Sequence, residues 1–353
     1  MSLSYGRPGT KLARGQAADP EVIRALQTDL RRLGYLRSGL DGGFGPETER
    51  AVRALQADLL FNDGRGPDGR APVALKDLNR GRITAVSGVV DEHFVACVED
   101  LLGSPQIPQL PRADDPVAEN QRVVETIRSS TPAAVPVPFL LAILRQESGL
   151  LHFRVPAPGD PDTFIVVGLD RNDATNRDRV TSRGYGVGQY TLFHHPPRPD
   201  EVQGVMMDPV KNVQRAMDEL REKFDGFVTG ETPGTRADDR IAEIGAGALR
   251  PCRYEPGDPR FQSDCRQCAL AAPRVDLGAS RPLFRGSTGR IHPTPNHPER
   301  AYQGVPDRAA FGCDWPYAVR RYNGGGVDSY HYQAQVLLRF VKDPKLDALL
   351  GPS

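Results

Sequence analysis

One glutamate of this chain lies where it could act as an acid, at the end of an apolar helix. Residues 139–144 are continuously apolar, and Pro138 suits the first turn of a helix. Glu147 follows this run and precedes Gly149, a common helix stop. A carboxyl at the end of a buried helix emerges into the cleft to which the helix points, where an apolar surround raises its pKa. Such a carboxyl suits a general acid, but the spacing alone fits a solvated glutamate without a catalytic role better.

The cysteines are a second candidate for chemistry, and their odd number excludes complete internal pairing. They are Cys97, Cys252, Cys265, Cys268 and Cys313. The middle three lie close in sequence and, with His292 or His297, could form a three-cysteine, one-histidine zinc site. The spacing is not that of a standard finger, so zinc is not favoured and no cofactor is expected. The alternatives are a disulfide from Cys252 to Cys265 or Cys268, and unpaired thiols; each would pin a long insert.

Two kinds of helical pattern must position these residues. Val22, Leu26, Leu30 and Leu33 recur at helical spacing after the N-cap Asp19, and a second helix follows a glycine-rich turn at residues 41–45. Residues 103–115 are rich in proline and polar residues, which indicates a linker. Longer helices are predicted after it, at residues 116–129, 138–147, 209–224, 307–322 and 328–341. Residues 151–183 and 250–305 interrupt them as long inserts, and a strand is predicted only at 164–169.

The first pattern resembles the peptidoglycan-binding domain type 1 family. The matching text is VIRALQTDLRRLGYL followed by DGGFGPETERAVRALQ, about 45 residues. The match includes Tyr35 at the helix end and Asp41 and Phe44 in the turn. The resemblance implies that the module as a whole holds the protein on peptidoglycan, with most of these residues serving its core and turns.

The second half resembles the catalytic domain of soluble lytic transglycosylases, which have a lysozyme-like fold. Four boxes in the family's order carry the resemblance: QESG around Glu147, GYGVGQ up to Gln189, DPVKN up to Asn212, and YNGG from Tyr322. The second box is loose, because Gly184 and Tyr185 stand where the family has Ala-Met.

The resemblance implies cleavage of the MurNAc–GlcNAc β-1,4 bond of murein by one carboxyl group. Glu147 would protonate the leaving oxygen and then take the proton of the sugar's own C6 hydroxyl, which leaves a 1,6-anhydro end. Ser148, Gln189, Tyr190, Tyr322 and Asn323 would bind substrate, although Asn323 is expected mainly to shape the turn that follows it.

Two other functions remain open. Goose-type lysozymes share this fold but hydrolyse the bond with a second acidic residue, and Asp160, Asp170, Asp173 and Asp178 lie in the matching interval. The loose second box also allows an inactive scaffold that only binds the wall.

Charge and hydropathy limit the partners and the location. The 45 basic and 45 acidic residues balance, which argues against nucleic acid. The longest uncharged apolar stretch, residues 133–144, is well short of the roughly 20 residues that span a bilayer, so membrane insertion is not expected. The first residues show no secretory signal. We therefore expect synthesis in the cytoplasm without a cleavable signal, delivery by a holin or a secretion machine, and action on periplasmic or extracellular peptidoglycan.

Together these features predict a mainly α protein. Residues 1–103 would form a small three-helix peptidoglycan-binding module with a helical extension, and residues 104–115 a linker. Residues 116–353 would form a lysozyme-like, α-rich catalytic domain with long loop inserts.

Overall fold

The computed structural model describes residues 3–7, 9–129, 135–228, 250–275, 298–325 and 328–350. This part of the chain is mainly helical, which confirms the predicted class. The helices are α1 (Pro20–Arg32), α2 (Pro46–Phe61), α3 (Leu75–Asn79), α4 (Glu92–Gly103), α5 (Pro116–Ser129), α6 (Val137–Glu147), α7 (Pro199–Glu201), α8 (Pro209–Glu222), α9 (Cys265–Ala271), α10 (Trp315–Tyr322), α11 (Asp328–Lys342) and α12 (Pro344–Leu350). Within these ranges no helix is both long and apolar enough to cross a bilayer.

The strands are short and antiparallel. They are β1 (Arg65–Gly66), β2 (Gly69–Arg70), β3 (Val167–Asp170), β4 (Ser182–Tyr185) and β5 (Tyr190–Leu192). β1 pairs with β2, and β4 lies between β3 and β5. The strand predicted at 164–169 overlaps β3, whereas β4 and β5 were not predicted. β4 consists of Ser-Arg-Gly-Tyr, all buried, so it lacks the apolar alternation by which strands are recognised.

The predicted helix at 307–322 is interrupted in the structure. A 3-10 turn (Arg308–Phe311) ends at Gly312, whose φ of 71° is left-handed, and α10 begins three residues later. A Cβ at Gly312 would lie 3.1 Å from the Cβ of Arg253, so the neighbouring segment also leaves no room for a larger residue. The long-range packing, which local spacing does not reveal, sets this break.

The described chain divides into two compact units. Unit 1 comprises residues 1–123 and 151–212, and unit 2 comprises residues 124–150 and 213–353. The segment predicted as a linker is packed within unit 1: Leu110 is 3% exposed, and its N–H donates to the Arg32 carbonyl over 2.9 Å. The two units are defined by contacts within the structure, whereas the domains were predicted from family resemblance. The domain bounds 1–103 and 116–353 therefore stay a prediction.

The first two helices of unit 1 are fixed by their ends. The Asp19 side chain accepts from the Glu21 N–H over 2.9 Å, and Pro20 begins α1. At the other end Gly34 adopts a φ of 79°, and the Tyr35 N–H returns to the Leu30 carbonyl over 2.8 Å. This left-handed cap turns the chain back, so that the ring of Tyr35 enters the core.

Gln27 organises the glycine-rich turn between α1 and α2. Its side-chain amide donates to Asp41 Oδ1 over 2.7 Å and to Thr48 Oγ1 over 3.0 Å, and it accepts from the Gly42 N–H over 2.9 Å. The amide is 1% exposed, and these bonds satisfy both of its ends. Gly42 itself has a φ of 73°, and a Cβ there would lie 2.9 Å from the Pro20 carbonyl oxygen.

Buried ion pairs join the N-terminal module to residues 151–212 within unit 1. Asp58 of α2 accepts from Arg183 Nη2 of β4 over 2.9 Å and from the Tyr35 hydroxyl over 2.7 Å. Arg31 of α1 reaches Asp162 over 3.0 Å, and both side chains are nearly inaccessible. Burial lowers the pKa of Arg31 to about 10, although the charge of Asp162 opposes the shift, so this guanidinium is still a cation at neutral pH.

The Asp58 pair predicts a large loss of stability when one charge is removed. Asp58→Asn keeps an acceptor for Tyr35 but leaves the buried Arg183 cation without a counter-charge, so we expect a loss of about 3 kcal/mol. Urea unfolding followed by circular dichroism measures it. Glu47→Gln is the control, because the Arg50–Glu47 pair is exposed and should contribute below about 0.5 kcal/mol. Equal effects of the two substitutions would contradict the role assigned to the pair.

Candidate functional site

Helix α6 carries Glu147 as its last residue, as the sequence predicts. Residues 139–144 are at most 1% exposed, whereas Glu147 is half-buried. Gly149 and Leu150 follow with φ values of 73° and 70°, and the Leu150 N–H donates to the Leu144 carbonyl over 3.2 Å. The buried helix and its left-handed stop therefore hold the glutamate at a defined position in unit 2.

A tyrosine of α11 holds the Glu147 carboxyl group. The hydroxyl of Tyr332 donates to Glu147 Oε1 over 2.5 Å, the length of a strong, charge-assisted hydrogen bond. Tyr332 is 9% exposed, and burial raises its pKa well above the ordinary value, to which the negative charge of Glu147 adds. Tyr332 thus stays protonated at neutral pH and remains a donor to the carboxylate. No local sequence pattern marks Tyr332 as part of the site.

Tyr322 and a second carboxylate belong to the same neighbourhood of unit 2. Burial raises the pKa of Tyr322 well above its ordinary value, and the charges of Glu219 and Glu147 add to that shift. Glu219 of α8 also acts on Tyr332 and lies 3.6 Å from Lys223 Nζ. The structure thus joins the first and fourth boxes of the sequence, through Glu147 and Tyr322. It adds Glu219, which no local pattern marked.

The other residues predicted around Glu147 have local roles. The Ser148 hydroxyl donates to the Leu144 carbonyl over 3.1 Å, a bond within the end of α6. Asn323 caps α10, is exposed, and donates its N–H to the Arg320 carbonyl over 3.3 Å, in agreement with a residue that shapes the turn. Gln146 accepts from Arg339 of α11 over 2.7 Å and 3.0 Å, so a second contact ties α6 to α11. Binding of substrate by Ser148 and Asn323 stays a prediction.

The second and third boxes meet in unit 1. Asn212 accepts from the Gly188 N–H over 2.8 Å and donates to the Tyr185 carbonyl over 3.0 Å. Gly186 has a φ of 73°, and a Cβ there would lie 2.5 Å from the ring of His152 and 2.8 Å from the Asn212 amide. The second box, GYGVGQ, which we call the glycine box, therefore packs closely against the side chains of His152 and Asn212.

Gln189 folds back over this loop. Its backbone φ is 52°, and its side-chain amide donates to the Gly186 carbonyl over 2.8 Å. A Cβ at Gly184 would lie 2.6 Å from Gln189 Oε1, so a larger residue at this position would displace the Gln189 side chain. Tyr190 is half-buried and lies opposite Tyr185 in the β4–β5 ladder. These contacts are structural, and substrate binding by Gln189 and Tyr190 stays a prediction.

The four acidic residues considered for hydrolysis each have a hydrogen-bond partner in unit 1. Asp178 pairs with Arg53 through two bonds of 2.7 Å and 2.8 Å, and Asp170 accepts from Ser182 over 2.7 Å. Asp173 accepts from Thr175 over 2.6 Å, a bond that lowers the pKa of Asp173. Asp160 accepts from the Asp162 N–H over 3.0 Å. Each contact gives its carboxylate a structural role.

The three residues selected in the N-terminal module differ in exposure. Tyr35 is 1% exposed and Phe44 is 8% exposed, so their rings serve the interior of the module. Asp41 is exposed, and the Gln27 amide together with the Gly43 N–H lowers its pKa, so it is ionised at neutral pH. Asp41 is thus the member of this set that presents a charge at the surface.

The cysteines are unpaired, and their arrangement differs from their spacing in sequence. No disulfide links any of the five. The Cys313 thiol interacts electrostatically with the thiols of Cys252, Cys265 and Cys268 in unit 2, although Cys313 is remote from them in sequence. Within the described ranges no group of three or more His, Cys, Asp or Glu residues could hold a metal ion. His292, the proposed fourth zinc ligand, and His297 lie outside these ranges.

Comparison with known proteins supports one of the two resemblances. Residues 19–63 match the family model described as "Putative peptidoglycan binding domain". This match confirms the prediction for the N-terminal module; such a domain indicates association with the cell wall and supports peptidoglycan as a partner. No curated protein and no solved structure matches the chain. The matched region ends at residue 63, so the resemblance of residues 116–353 to lytic transglycosylases stays a prediction.

The geometry of the glycine box predicts a strong effect of one methyl group. Gly186→Ala would combine a left-handed backbone with overlap against His152 and Asn212, so we expect a loss of about 3 kcal/mol. Gly204→Ala is the matched control in unit 1, because a Cβ there meets nothing within 4 Å. Thermal unfolding of the two variants checks the difference. A Gly186→Ala protein as stable as Gly204→Ala would contradict the described packing.

Burial of His152 predicts a pH effect. Burial lowers its pKa from 6.5 to about 4, although the Met206 carbonyl, 2.8 Å from Nε2, opposes the shift. The unfolded chain therefore binds this proton first, and stability should fall by about 3 kcal/mol as the pH drops from about 6.5 to about 4. Nuclear magnetic resonance of the His152 ring should give a midpoint near 4. A midpoint near 6.5 would show that the ring is solvated.

Proposed function

We propose that the protein cleaves the glycan strands of peptidoglycan and that Glu147 is its catalytic acid. One observation carries the proposal: a half-buried carboxyl at the end of a buried helix, held by the Tyr332 hydroxyl over 2.5 Å. The match at residues 19–63 supports the polymer as substrate, because a wall-binding module raises the local concentration of glycan. The proposed place of action is the wall itself, outside the cytoplasm, reached through a holin or a secretion machine.

The proposed reaction is that of a lytic transglycosylase. Protonated Glu147 gives its proton to the glycosidic oxygen, and the bond from that oxygen to the anomeric carbon breaks while the N-acetyl group of the muramic acid assists. The carboxylate then takes the proton of the C6 hydroxyl, whose oxygen bonds to the anomeric carbon. The acid is regenerated, no water is consumed, and the product carries a 1,6-anhydro ring.

Tyr332 has a distinct part in this proposal. Its hydrogen bond fixes one carboxylate oxygen and thereby the rotamer of Glu147. Its raised pKa keeps the phenol a donor throughout the cycle, so it stabilises the carboxylate that forms after the first proton transfer. Tyr332 is therefore proposed as a positioning residue, and Glu147 as the group that exchanges protons with the sugar.

Hydrolysis is the second candidate. A muramidase needs a second carboxylate to hold the attacking water. The acidic residues of the first insert belong to unit 1, whereas Glu219, which pairs with Lys223, shares with Glu147 an electrostatic effect on Tyr322 and Tyr332. Glu219 is thus the residue that would hold the water. The third candidate is an inactive scaffold, which would bind the wall and release nothing.

Substitution of Glu147 tests the proposal. We expect Glu147→Gln to bind murein sacs like the parent and to lower fragment release by about 100-fold or more, because the amide has no proton to give. Glu125→Gln, at an exposed position of unit 2, is the matched control and should keep full activity. Mass spectrometry of the fragments separates the candidates: anhydro ends support the lyase, reducing ends support the muramidase, and binding without release supports the scaffold. Unchanged release by Glu147→Gln would overturn the assignment of the acid.

Substitution of the tyrosine tests the positioning role. Tyr332→Phe keeps the ring and removes the hydroxyl, so the turnover rate should fall by roughly 10-fold, with little change in KM, because ground-state binding of glycan does not depend on it. The pH profile of the turnover rate should also move, since the acid loses its hydrogen-bond partner. A variant with unchanged rate and unchanged profile would show that the 2.5 Å contact serves only the packing of α6 on α11.

A further inference from the structure

Four cysteines of unit 2 interact with one another electrostatically, and two of them, Cys252 and Cys265, contact the same backbone turn at Gln262. Cys252 Sγ accepts from the Gln262 N–H over 3.3 Å, and Cys265 Sγ donates to the Gln262 carbonyl over 3.6 Å. Cys268 follows Cys265 by one turn of α9, and the two are each 6% exposed. Gln262 itself has a φ of 55°, a backbone conformation that a non-glycine residue adopts only when its surroundings enforce it.

Backbone pairing brings the fourth cysteine to the same place. The Asp314 N–H donates to the Arg250 carbonyl over 2.9 Å, and the Asp314 carboxylate accepts from the Arg250 N–H over 2.8 Å. The indole N–H of Trp315 donates to the Pro251 carbonyl over 3.0 Å. These bonds hold residues 250–251 close to residues 314–315, which are the neighbours in sequence of Cys252 and Cys313, and the Cys313 thiol interacts electrostatically with both Cys268 and Cys252.

The four thiols differ in accessibility. Burial raises the pKa of Cys265 well above its ordinary value, and the neighbouring thiols of Cys313, Cys268 and Cys252 add to the shift. Burial likewise raises the pKa of Cys268 and of Cys313. These three stay protonated and are poor nucleophiles at neutral pH. Cys252 is only half-buried, so it is the member that an external reagent meets first.

We propose that the cluster closes into two disulfides, each joining one cysteine of α9 (Cys265 or Cys268) to Cys252 or Cys313. The oxidant is a small-molecule or protein disulfide. The Cys252 thiolate attacks one of its sulfurs and expels a thiolate, and a neighbouring thiol then displaces the second sulfur. Each bond formed removes two protons and two electrons from two protein thiols and converts one external disulfide to two thiols.

The contacts at Gln262 favour pairing between segments, because they bring Cys252 and Cys265 of α9 to the same residue. A bond between Cys265 and Cys268 would close a loop within a single helical turn, whereas bonds to Cys252 and Cys313 would join α9 to both loop segments. A metal is the other fate of four thiols, but no group in the described ranges has a geometry that could hold one. The oxidised state as the working state rests on the proposed function, because murein lies outside the cytoplasm, where disulfides persist.

The disulfides would also reach the candidate site. Residues 313–315 lead directly into α10, and the last residue of α10 is Tyr322. Bonds from Cys313 and Cys252 to α9 would fix the start of this helix and thereby the position of Tyr322 relative to Glu147. We therefore expect oxidation to restrict the position of Tyr322 relative to Glu147, although both residues already occupy the site in the reduced protein.

Thiol mapping of the whole chain tests the proposal without any murein. The reduced protein is incubated with oxidised glutathione, unfolded, and alkylated, so that each remaining thiol adds a known mass. We expect the free thiols to fall from five to one, the survivor being the buried Cys97 of unit 1. Trypsin, which cuts after arginine, places each of the other four cysteines in its own peptide, and the cross-linked peptides identify the pairs.

Two variants and one stability measurement complete the test. Cys97→Ser should form the same two disulfides, whereas Cys252→Ser should form at most one, and more slowly, because the accessible thiol is gone. Oxidation of the parent should raise Tm by roughly 5 °C or more, since each bond restricts the unfolded chain. If Cys252→Ser does not fold, the rate of oxidation of the parent is compared with and without urea. Urea exposes the buried thiols of Cys265, Cys268 and Cys313, whereas Cys252 is already accessible without it.

Four results would overturn the inference: a Cys265–Cys268 bond, a Cys252–Cys313 bond, five thiols that persist after prolonged oxidation, or one zinc per chain that protects the thiols. None of them depends on cleavage of glycan. An inactive protein with the expected disulfides would refute the proposed function alone, and an active protein without them would refute this inference alone.

Discussion

The pairing of buried charges is the constraint on which the architecture of unit 1 depends. A guanidinium such as that of Arg183 or Arg31 loses its hydration when it is buried, and only a carboxylate in direct contact replaces it. Those carboxylates, Asp58 and Asp162, come from the other part of unit 1 in each case. The N-terminal helices and residues 151–212 therefore depend on each other, although more than 100 residues separate the partners in sequence.

A second constraint governs unit 2, where helix packing sets the position of the Glu147 carboxyl group. The apolar face of α6 fixes the axis of the helix, the left-handed stop at Gly149 fixes its end, and contacts with α11 fix its rotation. The helix backbone thereby sets the position of Glu147, and the Tyr332 hydroxyl adds one direct bond to its carboxyl group. A carboxyl held in this way would meet the positional demand of the proton transfer proposed for it.

The helix ends were predictable because their causes are local. Pro20, Gly34 and Gly149 act on the residues beside them, and α1 and α6 begin and end close to the predicted positions. The residues that no local pattern marks act over long distances in sequence. Tyr332 reaches Glu147 across 185 positions, and Cys313 joins a cluster that begins 61 residues earlier (313 minus 252). β4 was not predicted for the same reason. Its buried Arg183 is tolerated because Asp58 of α2 provides the counter-charge.

The order in which the two units use the chain has a consequence for inheritance. Residues 124–150, which include α6, belong to unit 2 but interrupt the sequence of unit 1. Gene recombination moves contiguous stretches, so a transplanted N-terminal stretch that ends before residue 124 would carry Arg31 and Asp58 to a new host without their counter-ions. The N-terminal module of this protein thus depends for its buried charges on sequence that lies beyond residue 150, which a module that pairs all of its own charges would not.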